Sequence, residues 1–259
     1  MNSIVFLGTG TSQGVPMIGC ACPVCTSSDP RDKRLRTSAR VRYQGLDIVI
    51  DAGPDFRQQM LSAGISRPDA ILLTHHHIDH IGGLDDVRAF NYRPENNWTC
   101  SPFPIYCEEY VQETLRKVFY YAFATHKYPG VPEYDLVTID GNPFSIKGVE
   151  IVPIRACHHQ LPVLGFRFGK LAYLTDANYI PEEEFDKLWN LEIFVINTVR
   201  RGHHISHFSL EEAIEVARRV GAKRTFLTHL SHQLPRYEEL LAELPKGIEP
   251  AYDGLEVEF

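Results

Sequence analysis

The chain has 259 residues, 44% hydrophobic, 23% charged and 11% aromatic, which excludes a disordered tail, a collagen-like repeat and a disulfide-built miniprotein. Twenty-six Lys and Arg against 33 Asp and Glu leave a net charge of −7, which disfavours general binding to nucleic acid or anionic membrane. No apolar run approaches the ~20 residues of a membrane span, and the first residues lack the basic start and apolar length of a secretion signal, so a cytoplasmic protein is expected.

In chain order, short apolar runs predict strands at 4–7, 46–50, 70–73, 149–154, 171–174, 193–196 and 225–227. Several are apolar without alternation and end in Gly, Asp or His, the pattern of strands buried on both faces. Helical periodicity predicts helices over 55–63, 108–118, 181–189, 210–220 and 237–244. A capping box from Ser209 to Glu212 introduces the fourth. Nothing divides the chain, so residues 1–259 are expected to form one layered α/β domain. The polar residues fall where strands end: His75 after Leu73-Thr74, Asp176 after Leu174-Thr175, His229 after Leu227-Thr228. Strand ends along one edge are where α/β folds place their sites.

Six cysteines are too few for a disulfide scaffold, and three crowd into Cys20-Ala21-Cys22-Pro23-Val24-Cys25. In a reducing compartment, thiols so spaced point to a metal rather than to disulfides. Tetrahedral zinc needs a fourth ligand, and His232, three residues beyond His229, is the candidate. A structural zinc on Cys20, Cys22, Cys25 and His232 would tie the N-terminal loop to the strand-end rim. Gly8-Thr9-Gly10-Thr11-Ser12 reads as a tight turn lining the site, because it lacks the ending of a nucleotide-triphosphate loop. The basic run Arg31, Lys33, Arg34, Arg36, Arg40, Arg42 reads as a solvated face, with no interleaved aromatic platform for RNA.

Thr74-His75-His76-His77-Ile78-Asp79-His80 places four His and one Asp in six positions after an apolar strand. Imidazole and carboxylate suit zinc, manganese or iron, and one turn can aim alternate residues at two ions. His75, His77, Asp79 and His80 match the His-x-His-x-Asp-His motif, and here the chain resembles the metallo-β-lactamase superfamily. That resemblance implies a four-layer αββα sandwich. It implies one divalent ion (zinc or manganese) on His75, His77 and His158, a second on Asp79, His80 and His229, and Asp176 as their bridge. Cys157-His158-His159 offers two imidazoles for the third position. Strand parity through Val152, Ile154 and Ala156 favours His158, as does the family's His-x-x-Leu segment. Cys157 reads as a buried structural thiol. Asp51 in Ile50-Asp51-Ala52-Gly53 matches a superfamily Asp that orients a ligand.

The combination with the cysteine loop is similar to the phosphoribosyl cyclic phosphodiesterases of the PhnP type. The shared segments are Leu7-Gly8-Thr9-Gly10, Gly14-Val15-Pro16, residues 19–25, residues 227–233 and residues 252–256. The proteins of pyrroloquinoline quinone biosynthesis carry a similar cysteine loop. The resemblance implies hydrolysis of a small cyclic phosphate by a hydroxide bridging two ions, with Asp79 and Asp176 in the reacting centre. His207, just before the fourth helix, is the candidate general acid for the leaving group. His203 and His204 read as solvated loop residues; His126 and the pair Arg200-Arg201 could meet a substrate phosphate, and are read as surface groups. The expected partner is a small phosphodiester, without membrane or nucleic acid, and a homodimer stays open. A transfer-RNA 3′-processing endonuclease and a non-hydrolytic biosynthetic accessory protein are the alternatives.

Overall fold

A computed structural model describes residues 2–259. Strands β1 (Ser3–Gly8), β2 (Ser38–Tyr43) and β3 (Leu46–Ile50) pair antiparallel. The chain then crosses through helix α1 (Phe56–Ser62) and adds β4 (Ala70–Leu72) parallel to β3. Short helices α2 (Ile78–Ile81) and α3 (Arg88–Asn91) lead to β5 (Phe103–Cys107), helix α4 (Glu109–Val118) and β6 (Tyr134–Thr138), both strands parallel to their neighbours.

The second half repeats this plan. Strands β7 (Phe144–Ile146), β8 (Val149–His158), β9 (Leu161–Phe168) and β10 (Leu171–Tyr173) pair antiparallel. Strands β11 (Ile193–Asn197), β12 (Arg224–Thr228) and β13 (Ile248–Pro250) then add in parallel through helices α5 (Leu210–Val220) and α6 (Tyr237–Glu243). Strand β14 (Glu256–Glu258) returns to pair antiparallel with β1. The result is two seven-stranded sheets, ordered β14-β1-β2-β3-β4-β5-β6 and β13-β12-β11-β10-β9-β8-β7. Each changes from antiparallel to parallel once, at β3 and at β10, and Asp51 and Asp176 lie just beyond those two strands.

The strand period of two sorts side chains into layers. Ile48, Ile50, Ala70, Leu72, Ile193, Val195 and Phe226 face the core between the sheets. Val49, Ile71 and Leu73 face outward onto Phe56, Met60, Val111 and Leu115 of α1 and α4. Phe194, Ile196 and Leu227 face the other way, onto Ala213, Ala217 and Leu240 of α5 and α6. This is the four-layer αββα sandwich of the metallo-β-lactamase type. Each large side chain buried in it stabilises the fold by roughly 1.5–3 kcal/mol. Among the described residues, no helix is long and apolar enough to cross a membrane.

Helix α5 has the predicted bounds. Ser209 Oγ accepts from Glu212 N, Glu212 Oε2 accepts from Ser209 N, and Gly221 ends the helix at φ 64°. The predicted helix over 181–189 is instead a 3-10 stretch, Glu182–Lys187. Of that stretch only Glu184 is buried, and Trp189 beyond it is exposed, so the segment lacks the apolar stripe that sustains a longer helix. The basic run is also not a free face. Arg31, Arg36, Arg40 and Arg42 pair with Asp29, Asp55, Asp47 and Glu256, and the Arg34 side chain is wholly buried 3.3 Å from Asp32.

Candidate functional site

The site grows from strand ends along one rim. After β4 the chain passes through Thr74 into His75, His76 and His77, and α2 then carries Asp79 and His80. This loop closes onto the turn after β3, where Ala52 N donates to His80 O at 2.7 Å. Gly53 permits the approach, because a Cβ there would lie 1.9 Å from Asp79 O. From the other sheet come His158 at the end of β8, Asp176 beyond β10 and His229 beyond β12. Asp51, Asp176 and His229 all take left-handed backbone, at φ 62°, 54° and 56°. For a non-glycine residue this costs about 1–2 kcal/mol, held in place here by buried strands on both sides.

Three imidazoles are fixed from behind. Asp51, wholly buried, accepts from Thr74 N and Thr74 Oγ1, both at 2.9 Å, and from His80 Nδ1 at 2.7 Å. With its hydroxyl proton given to Asp51, Thr74 Oγ1 accepts from His75 Nδ1 at 3.0 Å. His158 Nδ1 donates to Ser206 O at 2.7 Å. Each bond sets the tautomer and turns the ring's Nε2 toward the rim.

What faces inward is a set of donors packed against one another, with His75 Nε2 3.0 Å from His77 Nδ1. The ligand atoms of His75, His77 and His158 lie within 4.8 Å of one another, as do those of Asp79, His80 and His229, and those of His75, His80 and Asp176. Asp176 is the hub: its Oδ2 lies 3.1 Å from His80 Nε2 and its Oδ1 3.1 Å from His229 Nε2. His80 Nε2, both ring nitrogens of His229 and His207 Nδ1 are buried without an aligned hydrogen bond. Short approaches without hydrogen-bond alignment are what ligands sharing a cation show. The residues fit divalent metal.

Charge is polarised across the cluster. Burial alone would raise the Asp176 carboxyl, but His229 and His80 outweigh it and hold it well below the usual range. Burial likewise works against a charged His80, and Asp176, Asp51 and Asp79 together lift it well above the ordinary value. Burial holds His75 and His158 down, as unprotonated donors must be.

The cysteine loop converges as predicted. Cys20, Cys22, Cys25 and His232 offer ligand atoms within 4.8 Å of one another. His232 Nδ1 lies 3.3 Å from Cys20 Sγ and 3.5 Å from Cys22 Sγ. Zinc bonds of about 2.3 Å to sulfur and 2.0 Å to nitrogen on a tetrahedron separate the two ligands by about 3.5 Å. The Cys25 N–H, followed by His232, lowers the Cys22 thiol to about 6, whereas burial pushes Cys25 to about 11.

Beside the rim opens a cavity of about 250 Å³, lined among others by Thr11, Ser12, Arg200, His204, His207 and Ser231. His207 Nδ1 lies 3.6 Å from Asp176 Oδ1. Burial, then the neighbouring His229, holds the His207 ring down to about 2, so the imidazole is neutral. The turn carrying Thr11 and Ser12 is anchored by Asp253, which accepts from Thr9 Oγ1 and Leu35 N, both at 2.7 Å. Thr9 O in turn accepts from Leu230 N, next to His229, at 2.7 Å.

The beta-lactamase superfamily domain matches residues 47–230. The crystal structure of a new diphosphatase from the PhnP family superposes with a TM-score of 0.92 and 39% identity, covering 100% of this chain and 98% of that one. The chain belongs to the PhnP family of the beta-lactamase superfamily. An octanoyltransferase of Porphyromonas gingivalis is 42% identical over 255 residues, 97% of this chain and 50% of that protein. The chain thus spans about half the length of that relative. Zinc-bound PqqB from Methylobacterium extorquens shares the fold, with a TM-score of 0.79 at 18% identity, covering 99% of this chain and 100% of that one.

As a member of this family, the chain brings together His75, His77, Asp79, His80, His158, Asp176, His207 and His229 at the rim and Cys20, Cys22, Cys25 and His232 at the loop, with two adjustments. Cys157 is half-buried rather than buried, its backbone paired with Tyr179. His204 is no solvated bystander: its ring stands 5.0 Å from His207 and lines the cavity. His159 turns away, exposed at φ 58° with its N–H given to Asn178 Oδ1. Arg200, preferred in the sequence as a surface group over a phosphate contact, lines the cavity. Sequence reasoning missed the Ser206 carbonyl behind His158, a backbone atom with no signal in the sequence.

Proposed function

We propose that this chain hydrolyses a small phosphoric diester, a cyclic sugar phosphate being the class that fits best. The similar structure's description as a diphosphatase, a name for cleavage at phosphorus, supports this class. One ion would sit with His75, His77 and His158, a second with Asp79, His80 and His229, Asp176 between them, and a structural zinc with Cys20, Cys22, Cys25 and His232. Divalent ions there supply the Lewis acidity that activates water and offsets charge developing on the phosphoryl group. Asp51, Thr74 and the Ser206 carbonyl hold the donor rings in their working tautomers. Water oxygen bonds to phosphorus, the ester P–O bond breaks, and the departing oxygen needs a proton.

The observation carrying this reading is His207, unpaired at Nδ1 between Asp176 and the cavity. A neutral ring can position a phosphate by its N–H, and an anion docked against it raises its proton affinity. His207 is thereby the donor to the leaving oxygen. The octanoyltransferase relative has half its length outside the match, where its named activity can reside.

The test is turnover of phosphoribosyl 1,2-cyclic phosphate, 2′,3′-cyclic nucleotides, bis-p-nitrophenyl phosphate and a precursor transfer RNA, with elemental analysis of the protein. Three divalent ions per chain and preference for the small cyclic esters are expected. Cleavage confined to the transfer RNA would overturn the reading. His207→Ala should keep its ions and lose about 10²–10⁴-fold on alkyl or ribosyl leaving groups, but less on p-nitrophenyl, which departs unprotonated. An equal loss on both would assign His207 to phosphate binding instead.

A further inference from the structure

The rim donors divide into more groupings than two ions require. Besides the three triads already described, the ligand atoms of His158, Asp176 and His207 lie within 4.8 Å of one another. His207 Nδ1 stands 3.6 Å from Asp176 Oδ1, and the His207 ring centre 4.5 Å from that of His158. Two ligands on a tetrahedral zinc with bonds of about 2.0–2.2 Å stand about 3.4 Å apart, so little closure is needed.

The grouping is held by backbone on both sides of His207. Ser206 O accepts from His158 Nδ1 at 2.7 Å, and Phe208 N donates to Ala177 O, next to Asp176, at 2.8 Å. The first bond leaves Nε2 as the one free ligand atom of His158. His207 Nδ1 is buried without a hydrogen-bond partner among the described residues, a costly state for a ring nitrogen unless something completes it. His207 also lines the cavity, where water has room to fill the remaining coordination positions.

This position ranks below the other two. It takes His158 Nε2 from the ion held with His75 and His77, and it sets one more cation beside its neighbours, so it fills last. Two imidazoles and one carboxylate favour zinc over manganese, which lies at the weak end of the divalent series.

We infer that His158, Asp176 and His207 form a third, low-affinity zinc position on the rim, filled only when free zinc is in excess. Zinc on His207 Nδ1 moves the single proton of the neutral ring to Nε2, away from the leaving oxygen, so the filled position inhibits. The binding rests on the rim donors alone. The inhibition rests on the phosphodiesterase reading, with His207 as proton donor.

Two measurements separate the two statements. In the first, protein labelled at its histidine nitrogens and already loaded with its stoichiometric ions is titrated with zinc chloride. NMR follows the ring nitrogens, His207→Ala identifies the His207 signals, and equilibrium dialysis counts the ions. His207 Nδ1 should move to the metal-bound range only after the earlier ions are in place, as one further zinc binds. His207→Ala should keep the earlier ions and bind the last one more weakly, by more than the roughly 10–100-fold that losing an outer partner of a ligand costs. Manganese chloride at the same concentrations should leave His207 unshifted. A His207 ring unmoved in large zinc excess, or a last zinc held equally by His207→Ala, would overturn the position. Far-UV circular dichroism equal to the parent shows that the variant is folded, and the NMR titration of the parent needs no variant to fold.

In the second, excess zinc should slow the parent on alkyl or ribosyl esters by about 10²–10⁴-fold, the loss expected of His207→Ala, and slow p-nitrophenyl esters less. Mild chelation should restore the rate. Undiminished turnover of alkyl esters while NMR shows His207 on zinc would overturn the inhibition. If the parent cleaves no phosphodiester, the hydrolase reading fails, and NMR and dialysis still decide the position.

Discussion

The strand-end rim and the cysteine loop both gather metal-ligating side chains, but they hold them differently. His75, His80, Asp176 and His229 are at most 2% exposed, each beyond a strand whose neighbours fill the three large cores. The cysteine loop has a core of its own made only of Val15, Val24 and Cys25, with Met17, Cys20 and Cys22 packed against it. The rim's geometry is therefore imposed by the fold, down to the left-handed backbone at Asp176 and His229. The loop's geometry depends on what its thiols bind, because so little apolar surface cannot offset the entropy of ordering an irregular segment. On the proposed reading, the strand-built site would serve chemistry and the loop-built one folding.

The largest break in that contrast should come from Asp176→Ala. The hub between His80 and His229 disappears, so rim metal and turnover fall to background together while the Cys3His ion remains. Elemental analysis showing a full metal complement in this variant would contradict the division. Cys22→Ala should do the opposite. The melting temperature should fall markedly, since a structural zinc carries several of the ~10–16 kcal/mol seen in zinc-finger peptides, while turnover per folded molecule at low temperature stays close to the parent's. A variant that melts like the parent and fails only in turnover would move the loop into the chemistry.

Asp51→Asn sharpens the comparison on the rim side. The fold keeps an acceptor for Thr74 N, but His80 loses the carboxylate that sets its tautomer. Metal affinity measured by competition with a chelator should fall by about 10–100-fold. Unchanged affinity would mean that the buried strand ends alone orient His80.

The smallest effect belongs to the joint between the two regions. Burial raises the Asp253 carboxyl from 3.8 to about 7, despite the hydrogen bonds from Leu35 and Thr9. An acid whose folded pKa lies above its unfolded one contributes stability below pH 3.8 that is lost as pH rises through about 7. The difference in melting temperature between Asp253→Asn and the parent should therefore move in the variant's favour between pH 5 and about 8. A pH-independent difference would show that Asp253 stays ionised in the fold.

Much of this was legible in the sequence because the signals were local. The capping box and Gly221 give α5 both ends, and apolar runs ending in His or Asp mark β4, β10 and β12 with their ligands attached. Strands β2, β6 and β9 left no such trace. Arg40 and Arg42 interrupt the first, no residue of the second is buried, and Pro162 and Gly165 break the pattern of the third. The Arg34–Asp32 pair, 3.3 Å apart and almost wholly buried, reads in sequence as part of a solvated basic run. Its burial follows from packing that the spacing does not encode. Arg200 and Arg201 read alike in sequence for a related reason: only the position of Glu211 and Glu243 in the fold distinguishes them.

The return of β14 to the first sheet sets the order in which the molecule can be finished. Ser3 pairs with Glu258 and Ile4 with Val257, so the outer edge of β1 is sealed by residues made some 250 positions later. During synthesis the second sheet can assemble from contiguous chain, while β1 presents bare N–H and C=O groups to whatever strand passes. Until β14 is made, β1 thus adds an unpaired edge to those the finished sheets keep at β6, β7 and β13.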